Sequence, residues 1–361
     1  MAKKSSKKKS VSKKINKKLR YAGTSLLSLL LIAVVSFVLD VTGIADILPD
    51  LNDSNIENDV NTGNNSSTQG SNTDVKAPDS GKDTGTNNNS GSSTKPVITD
   101  NVEYNYEDLR VHFIDVDQAD CIFIECGGEY MLIDGGNPET GDKVVNYLIS
   151  NGVSTLKYYV GTHPHADHIG CVKKIFANFE VENAIKSKCP TKSQYEKAFL
   201  SGIENRNSHV ITPGMDEYSK EMTLGNATFK CLTVDKEYDD VNAWSIVILL
   251  TYKENKFVFT GDAIKLTEND ILATGVDIEA DVLKVGHHGS YTSSGKKFVQ
   301  AVNPAYAVIM CGENNDYGHP HAETVATLED EDIIVYRTDK MGTIVCTSDG
   351  KNLHFTAEKV K

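Results

Sequence analysis

Between residues 46 and 102 the chain is built from Asn, Ser, Gly, Thr and Asp, with few large apolar side chains. Such a segment cannot bury enough apolar surface to offset its ordering entropy, so it reads as a disordered linker. Any core is therefore confined to residues 103–361, one domain's worth of sequence. As a flexible coil the linker has a root-mean-square reach of about 40 Å. Ahead of it, residues 1–21 form a basic arm in which the first 20 positions hold ten Lys or Arg and no acid. Residues 22–39 follow, uncharged and mostly Leu, Val, Ile and Ala. As a helix, a run of this length spans about 27 Å, close to the ~30 Å hydrocarbon core of a bilayer. A lysine-rich arm before an apolar run is a membrane-targeting pattern with the arm left in the cytoplasm. Residues 22–45 are expected to be a transmembrane anchor or, with Gly43-Ile44-Ala45 as the cleavage site, a signal peptide. The length of the apolar run favours the anchor. Either way the remainder faces outward, as a single-pass membrane protein with its domain outside or as a secreted product.

From residue 103 onward the chain has 24 Lys and Arg against 40 Asp and Glu, a net charge near −16. That charge is a solubility feature and disfavours tight, nonspecific nucleic-acid binding. All seven cysteines (121, 126, 171, 189, 231, 311 and 346) lie here, with no CxxC spacing. Buried free thiols are expected, with one or two disulfides as the alternative and no cysteine metal site.

The domain alternates strand-like and helix-like patterns. Strands are expected at 111–115, 121–125 and 130–133, the last two joined across Gly127-Gly128, and again at 157–160, 243–251, 256–260, 281–285 and 305–310. Helices are expected at 143–150, 267–273 and 293–302. The spacing of Ile169, Val172, Ile175, Phe176 and Phe179 indicates another. Interleaved strands and helices imply an α/β sandwich.

Between one such strand and one such helix lies Thr162-His163-Pro164-His165-Ala166-Asp167-His168-Ile169-Gly170. A polar turn with Asp167 as helix cap is the plain alternative. Against it, His163 and His165 project to one side of an extended backbone, and Asp167 and His168 can face the same pocket. Other strands also end in chemistry-bearing residues. These ends are Asp134-Gly135-Gly136, Gly261-Asp262 and Gly286-His287-His288-Gly289-Ser290.

The ordered set FIDVDQADC, LIDGG, THPHADHIG, FTGD, LKVGHHGS and YGHPH resembles the metallo-β-lactamase superfamily. More narrowly, it is similar to the hydrolase domain of ComEC-type DNA-uptake proteins and their free-standing relatives, over about residues 109–354. The resemblance implies an αββα sandwich with a site at the sheet edges. It implies that His163 and His165 hold one divalent metal and that Asp167 and His168 hold another. Asp262 would bridge the two, and one of His287 and His288 would complete the second site. Zinc is the default metal and manganese the rival, since the donors are imidazole and carboxylate. Asp134 would orient His163, His165 or the water from behind, and His319 would touch substrate or protonate a leaving group. Ser290 and Ser293 could donate to a phosphate or cap the following helix.

Two departures stand out. The stretch Asp239-Asp240-Val241-Asn242-Ala243-Trp244-Ser245 lacks the histidine that the wider superfamily has there, leaving Asn242 and Ser245 to line the site. Where the family reads VGQGD, this chain reads Val116-Asp117-Gln118-Ala119-Asp120, with neither glycine's backbone freedom. The resemblance implies an extracytoplasmic metal-dependent hydrolase acting through metal-bound hydroxide on a phosphodiester, with nucleic acid as the leading substrate class. An envelope phosphoesterase acting on teichoic-acid or choline-phosphate esters is the alternative. A non-catalytic, wall-tethered metal-binding module is the third reading. With one apolar segment rather than a bundle, the chain is not expected to be an uptake channel. No protein partner is implied.

Overall fold

A computed structural model describes residues 97–98, 105–214 and 220–359. The basic arm, the apolar segment and, apart from residues 97–98, the linker lie outside the described residues. No helix among the described residues is long and apolar enough to cross a membrane.

The chain first lays down β1 (Leu109–Phe113), β2 (Ile122–Cys126), β3 (Glu129–Ile133), β4 (Thr155–Gly161), β5 (Glu180–Lys186) and β6 (His209–Ile211). A second sheet follows from β7 (Met222–Leu224), β8 (Ala227–Cys231), β9 (Ile248–Tyr252), β10 (Asn255–Phe259), β11 (Val282–Lys284), β12 (Tyr306–Ile309) and β13 (Ile334–Arg337). The chain then returns to the first sheet as β14 (Ile344–Ser348) and β15 (Leu353–Ala357). The spatial orders are β15-β14-β1-β2-β3-β4-β5-β6 and β13-β12-β11-β10-β9-β8-β7.

Period-two alternation explains how the layers stack. Phe257 and Phe259 of β10 join Val111 and Phe113 of β1 in the apolar layer between the sheets, while Val258 faces the other way. Across that layer the Phe113 and Phe259 rings sit with centroids 6.3 Å apart. The outer face of the first sheet packs on helices Gly141–Ser150, Val172–Asn178 and Gln194–Arg206, through Leu148, Ile175 and Phe199. The outer face of the second packs on Lys265–Ala273, Lys296–Val302 and Ala322–Asp330, through Ile271, Phe298 and Leu328. The result is the four-layer αββα order.

Several expected boundaries shift. The strand expected from residue 243 begins at Ile248, because Val241–Trp244 forms a 3₁₀ turn capped by the Asp240 side chain on Asn242 N. The helix expected across 169–179 is two helices, Ala166–Ile169 and Val172–Asn178, separated at Gly170-Cys171. Gly127 and Gly128 both take positive φ, as the expected hairpin requires. Helix Gln194–Arg206 and strands β5 to β8 and β13 to β15 were not anticipated. All seven cysteines are free and buried.

Both sheets contain a parallel run, β3-β4-β5-β6 in one and β10-β11-β12-β13 in the other. Side chains following the carboxyl ends of parallel strands are the usual ligand-facing positions of α/β sheets. Here Asp134 follows β3, Thr162 and His163 follow β4, Asp262 follows β10, and His287 and His288 follow β11. Phe259→Ala should cost about 3–5 kcal/mol, read by urea unfolding. A loss below about 1 kcal/mol would mean that the inter-sheet layer does not depend on this ring.

Candidate metal centre

Asp262 is 1% exposed, and its two oxygens face different neighbours. Oδ1 lies 3.3 Å from His168 Nε2 and 3.7 Å from His288 Nε2. Oδ2 lies 3.6 Å from His287 Nε2 and 3.9 Å from His163 Nε2. Asp167 Oδ2 closes the first group, 3.2 Å from His288 Nε2 and 3.8 Å from His168 Nε2. One potential ligand atom from each of Asp167, His168, Asp262 and His288 falls within a 4.8 Å cluster. His163 Nε2 meets His165 Nδ1 at 3.0 Å, so these rings point nitrogen to nitrogen.

The chain holds these groups from behind. Thr162 donates from N and Oγ1 to Asp134 Oδ1 and Oδ2, at 2.8 and 2.7 Å. Asp134 Oδ2 in turn lies 2.8 Å from His168 Nδ1. Asp134 thus orients His168, not His163 or His165. Its own φ of 57° is left-handed, a conformation costly for a residue with a Cβ. His287 and His288 are also consecutive left-handed residues, at φ 50° and 53°. The arrangement is pinned by His288 Nδ1 against Met310 O at 3.0 Å and His287 Nδ1 against Thr292 Oγ1 at 3.1 Å. Gly261 has φ 50°, and a Cβ there would approach Thr162 to 3.0 Å. Glycine takes this angle without strain and lets the strand end pass close to Thr162 on the way to Asp262.

Of the two adjacent histidines, His288 joins the cluster with Asp167 and His168. His287 stands on the other side of Asp262. Asp167 makes no side-chain cap; the helix N-cap is His165.

Electrostatics follow from the burial. Burial alone would lower His168 and His288. Asp262 and Asp134 outweigh it at His168 and raise that imidazole well above its ordinary range, whereas Asp262 and Asp120 raise His288 to about 10. Burial would raise Asp262 too, but His168 and His288 hold its carboxyl far down. His163, with burial dominant and His168 adding to it, is held well below an ordinary imidazole. Whether a cation fits is answered by Asp262 Oδ1 and His168 Nε2, buried atoms without a hydrogen-bond partner that lie 3.3 Å apart within the cluster formed with Asp167 and His288. Imidazole and carboxylate donors converging there suit a divalent ion.

Residues 114–188 and 235–313 match the Metallo-beta-lactamase superfamily. The chain is 28% identical over 256 residues to ComE operon protein 3 of Bacillus subtilis, covering 65% of this chain and 32% of that protein. It is 34% identical over 237 residues to competence protein ComA of Neisseria gonorrhoeae, covering 64% of this chain and 31% of that protein. This chain thus spans about a third of the length of these relatives. Among solved structures, the metallo-β-lactamase fold protein YhfI of Bacillus subtilis aligns with TM-score 0.48 at 11% identity, over 67% of this chain and all of that one. The domain has the metallo-β-lactamase fold. It is a distant homologue of the competence proteins, with a candidate His/Asp metal site.

Within this metallo-β-lactamase fold, the loop that departs from VGQGD contains a left-handed residue that is not glycine, Asp117 at φ 60°. Asp is among the residues that tolerate this region best. Asp120, absent from the candidates drawn from sequence, proves central. It is buried and ion-paired with Lys284 of β11, and its Oδ1 lies 3.3 Å from His288 Nδ1. Burial would raise its carboxyl, but Lys284 and His288 lower it. A lysine at the end of an apolar strand, with an acid in the departing loop, was the signal for this pair.

An open cleft of about 350 Å³ exposes the site, lined by His165, Asp167, Asn242, Asp262, His287, His288 and His319, with Gln118 and Tyr317 at its wall. Ser245 and Ser290 do not line it. Ser245 Oγ stands behind the site, 3.2 Å from His163 Nδ1 and accepting from Asp262 N at 3.1 Å. Ser290 is buried and accepts from Thr292 N and Oγ1. Ser293 is buried with its hydroxyl unpartnered, and the following helix is capped by Gly295 without a side-chain bond. The loop bearing the histidine pair is held by Glu268, whose carboxylate accepts from Ser294 N at 2.5 Å and Gly295 N at 2.9 Å.

Asp134→Asn should weaken zinc binding about 10–100-fold, measured by competition with a chromophoric chelator. An unchanged affinity would show that His168 needs no anionic support. Burial, opposed by the two backbone donors, raises Glu268 to about 7. Because the folded value exceeds the unfolded one, its contribution is full below about pH 4.5 and is lost as pH rises through about 7. The wild type should therefore lose urea resistance between pH 5 and 8 relative to Glu268→Gln. Parallel pH curves would contradict this.

Proposed function

We propose that the domain is a two-metal phosphodiesterase with nucleic acid as its substrate class, held outside a membrane by the N-terminal segment. The observation that carries this reading is the Asp262 carboxylate, with one oxygen toward His168 and His288 and the other toward His163 and His287. This is the donor arrangement that a bridging carboxylate needs. His163 and His165 would hold one ion and Asp167, His168 and His288 the other, with zinc the default and manganese the rival. When bound, such a pair activates water and neutralises charge on a phosphate.

The remaining work belongs to the chain's own side chains. Asp134 holds His168 in orientation, Met310 O and Asp120 hold His288, and Ser245 holds His163. His319 reaches the cleft with its ring fixed by Gln118. Gly312 N donates to Gln118 Oε1 at 3.0 Å, so the amide NH₂ is the group 3.0 Å from His319 Nδ1. His319 accepts there and carries its proton on Nε2. Burial, with His288 and His287 adding to it, lowers this imidazole to about 4. With Nδ1 occupied by the Gln118 amide, Nε2–H is the donor that His319 has left for a substrate oxygen.

The ordered motif set and the distant homology to competence proteins support nucleic acid. A smaller phosphoester, such as a choline-phosphate or teichoic-acid ester, is favoured by a different observation: among the described residues, no Lys or Arg lines the metal cleft. The metal-loaded chain should hydrolyse bis-p-nitrophenyl phosphate and single-stranded DNA more efficiently than choline-phosphate esters. His165→Ala should lower that activity about 100-fold or more with the circular dichroism unchanged. Unchanged activity would sink the metal mechanism. Tight stoichiometric metal with no activity on any of the three would point to the wall-tethered binding module.

A further inference from the structure

The metal cleft does not end at the histidines. Asn242 and His287 also line a second cavity of about 330 Å³, walled by Asp240, Ile264, Lys265, Leu266, Tyr291 and Thr292. Leu266 and Tyr291 are 52% and 55% exposed, large apolar surfaces left facing water beside a candidate active site.

The Tyr291 backbone is nevertheless firmly held. Lys265 Nζ donates to Tyr291 O at 2.6 Å, and Tyr291 N donates to His321 Nδ1 at 3.1 Å. Its ring meets His321 edge-on, with centroids 4.9 Å apart. Lys265 N also donates to Thr292 O at 2.9 Å. A rigid backbone that presents an open aromatic face is a stacking platform rather than core packing. Thr292 links this cavity to the metal side, since its hydroxyl is the partner of His287 Nδ1.

We infer that the second cavity is a nucleobase subsite, in which the base next to the scissile phosphate stacks on Tyr291 against Leu266. The inference rests on the phosphodiesterase reading above and deepens it. Lys265 is the Lys or Arg among the residues lining the two cavities, and it has donors left for a neighbouring phosphate. With the domain near −16, the usual electrostatic grip on a polyanion is missing. A flat π surface supplies affinity that does not depend on opposite charge. The subsite admits a base that has left its stack, which selects single-stranded over duplex substrate. Within the first cavity Tyr317, 69% exposed, lies stacked on His319 with centroids 5.6 Å apart and planes 20° apart, a second flat surface for the same strand.

The test compares two labelled oligonucleotides of equal length with the full metal-loaded chain. One carries natural bases and the other carries tetrahydrofuran abasic residues. The wild type should favour the base-bearing strand in kcat/KM by about tenfold, the discrimination that stacking of one base supplies. Tyr291→Ala and Leu266→Ser should each bring that ratio toward one, and Tyr291→Phe should keep it. Equal ratios in wild type and Tyr291→Ala, with both strands still cut, overturn the subsite and leave the phosphodiesterase reading standing. Cleavage of choline-phosphate esters but of neither strand overturns both.

Discussion

Four carboxylates, those of Asp120, Asp134, Asp167 and Asp262, converge on one small volume, and the rest of the centre is arranged around their repulsion. Two like charges 4 Å apart repel by about 4 kcal/mol at an effective dielectric near ~20. The cluster persists because each acid is answered. Asp120 has Lys284, Asp134 has Thr162 and His168, and Asp167 has His288. Asp262 faces His168 and His288 on one oxygen and His163 and His287 on the other, yet Asp262 Oδ1 and Asp120 Oδ1 are both left without a hydrogen-bond donor. An arrangement with so much buried negative charge and so few fixed cations is organised around exchangeable positive charge, protons or metal ions.

The fold makes this convergence possible because its two parallel runs end at the same edge. β3 and β4 deliver Asp134, Thr162 and the histidine segment, and β10 and β11 deliver Asp262 and the histidine pair. None of these groups need lie far from a rigid strand, and most have a second residue behind them that fixes the ring or carboxylate. Such support keeps ligand donors within the narrow tolerances that metal sites demand.

Much of this was legible in the chain. The strands carrying ligands are apolar runs that stop abruptly at Asp, Gly or His, and each stop marked a true strand end to within a few residues. The outlying strands were not legible for a physical reason. β7, β8 and β15 alternate polar and apolar residues but are only three to five residues long, too short for the period to stand out. β5, β6 and β13 pair in parallel across crossovers, and β14 pairs with β1 from the far end of the domain. The strand start at Ile248 was hidden because Val241–Trp244 is apolar enough to read as extended, while its conformation is decided by the Asp240 cap. Within the site, residue type identified the donors, but side-chain direction could not be read. Sequence left His287 and His288 equivalent, and two left-handed backbone angles separate them. It put Ser245 and Ser290 beside the substrate, whereas their hydroxyls are turned inward to hold other parts of the site. The buried role of Asp120 depends on Lys284, 164 positions away; a lysine ending an apolar strand signals a buried partner, but not which acid it meets.

The cysteines carry a consequence of a different kind. Seven thiols are sealed in the core and none is joined to another, so the native state owes nothing to cross-links and is indifferent to the redox state of its surroundings while it stays folded. An unfolded molecule in an oxidising medium has seven thiols to pair and no native pairing to recover. Each global opening there risks being final, and the working lifetime of the domain is then governed by how rarely it opens rather than by its equilibrium stability.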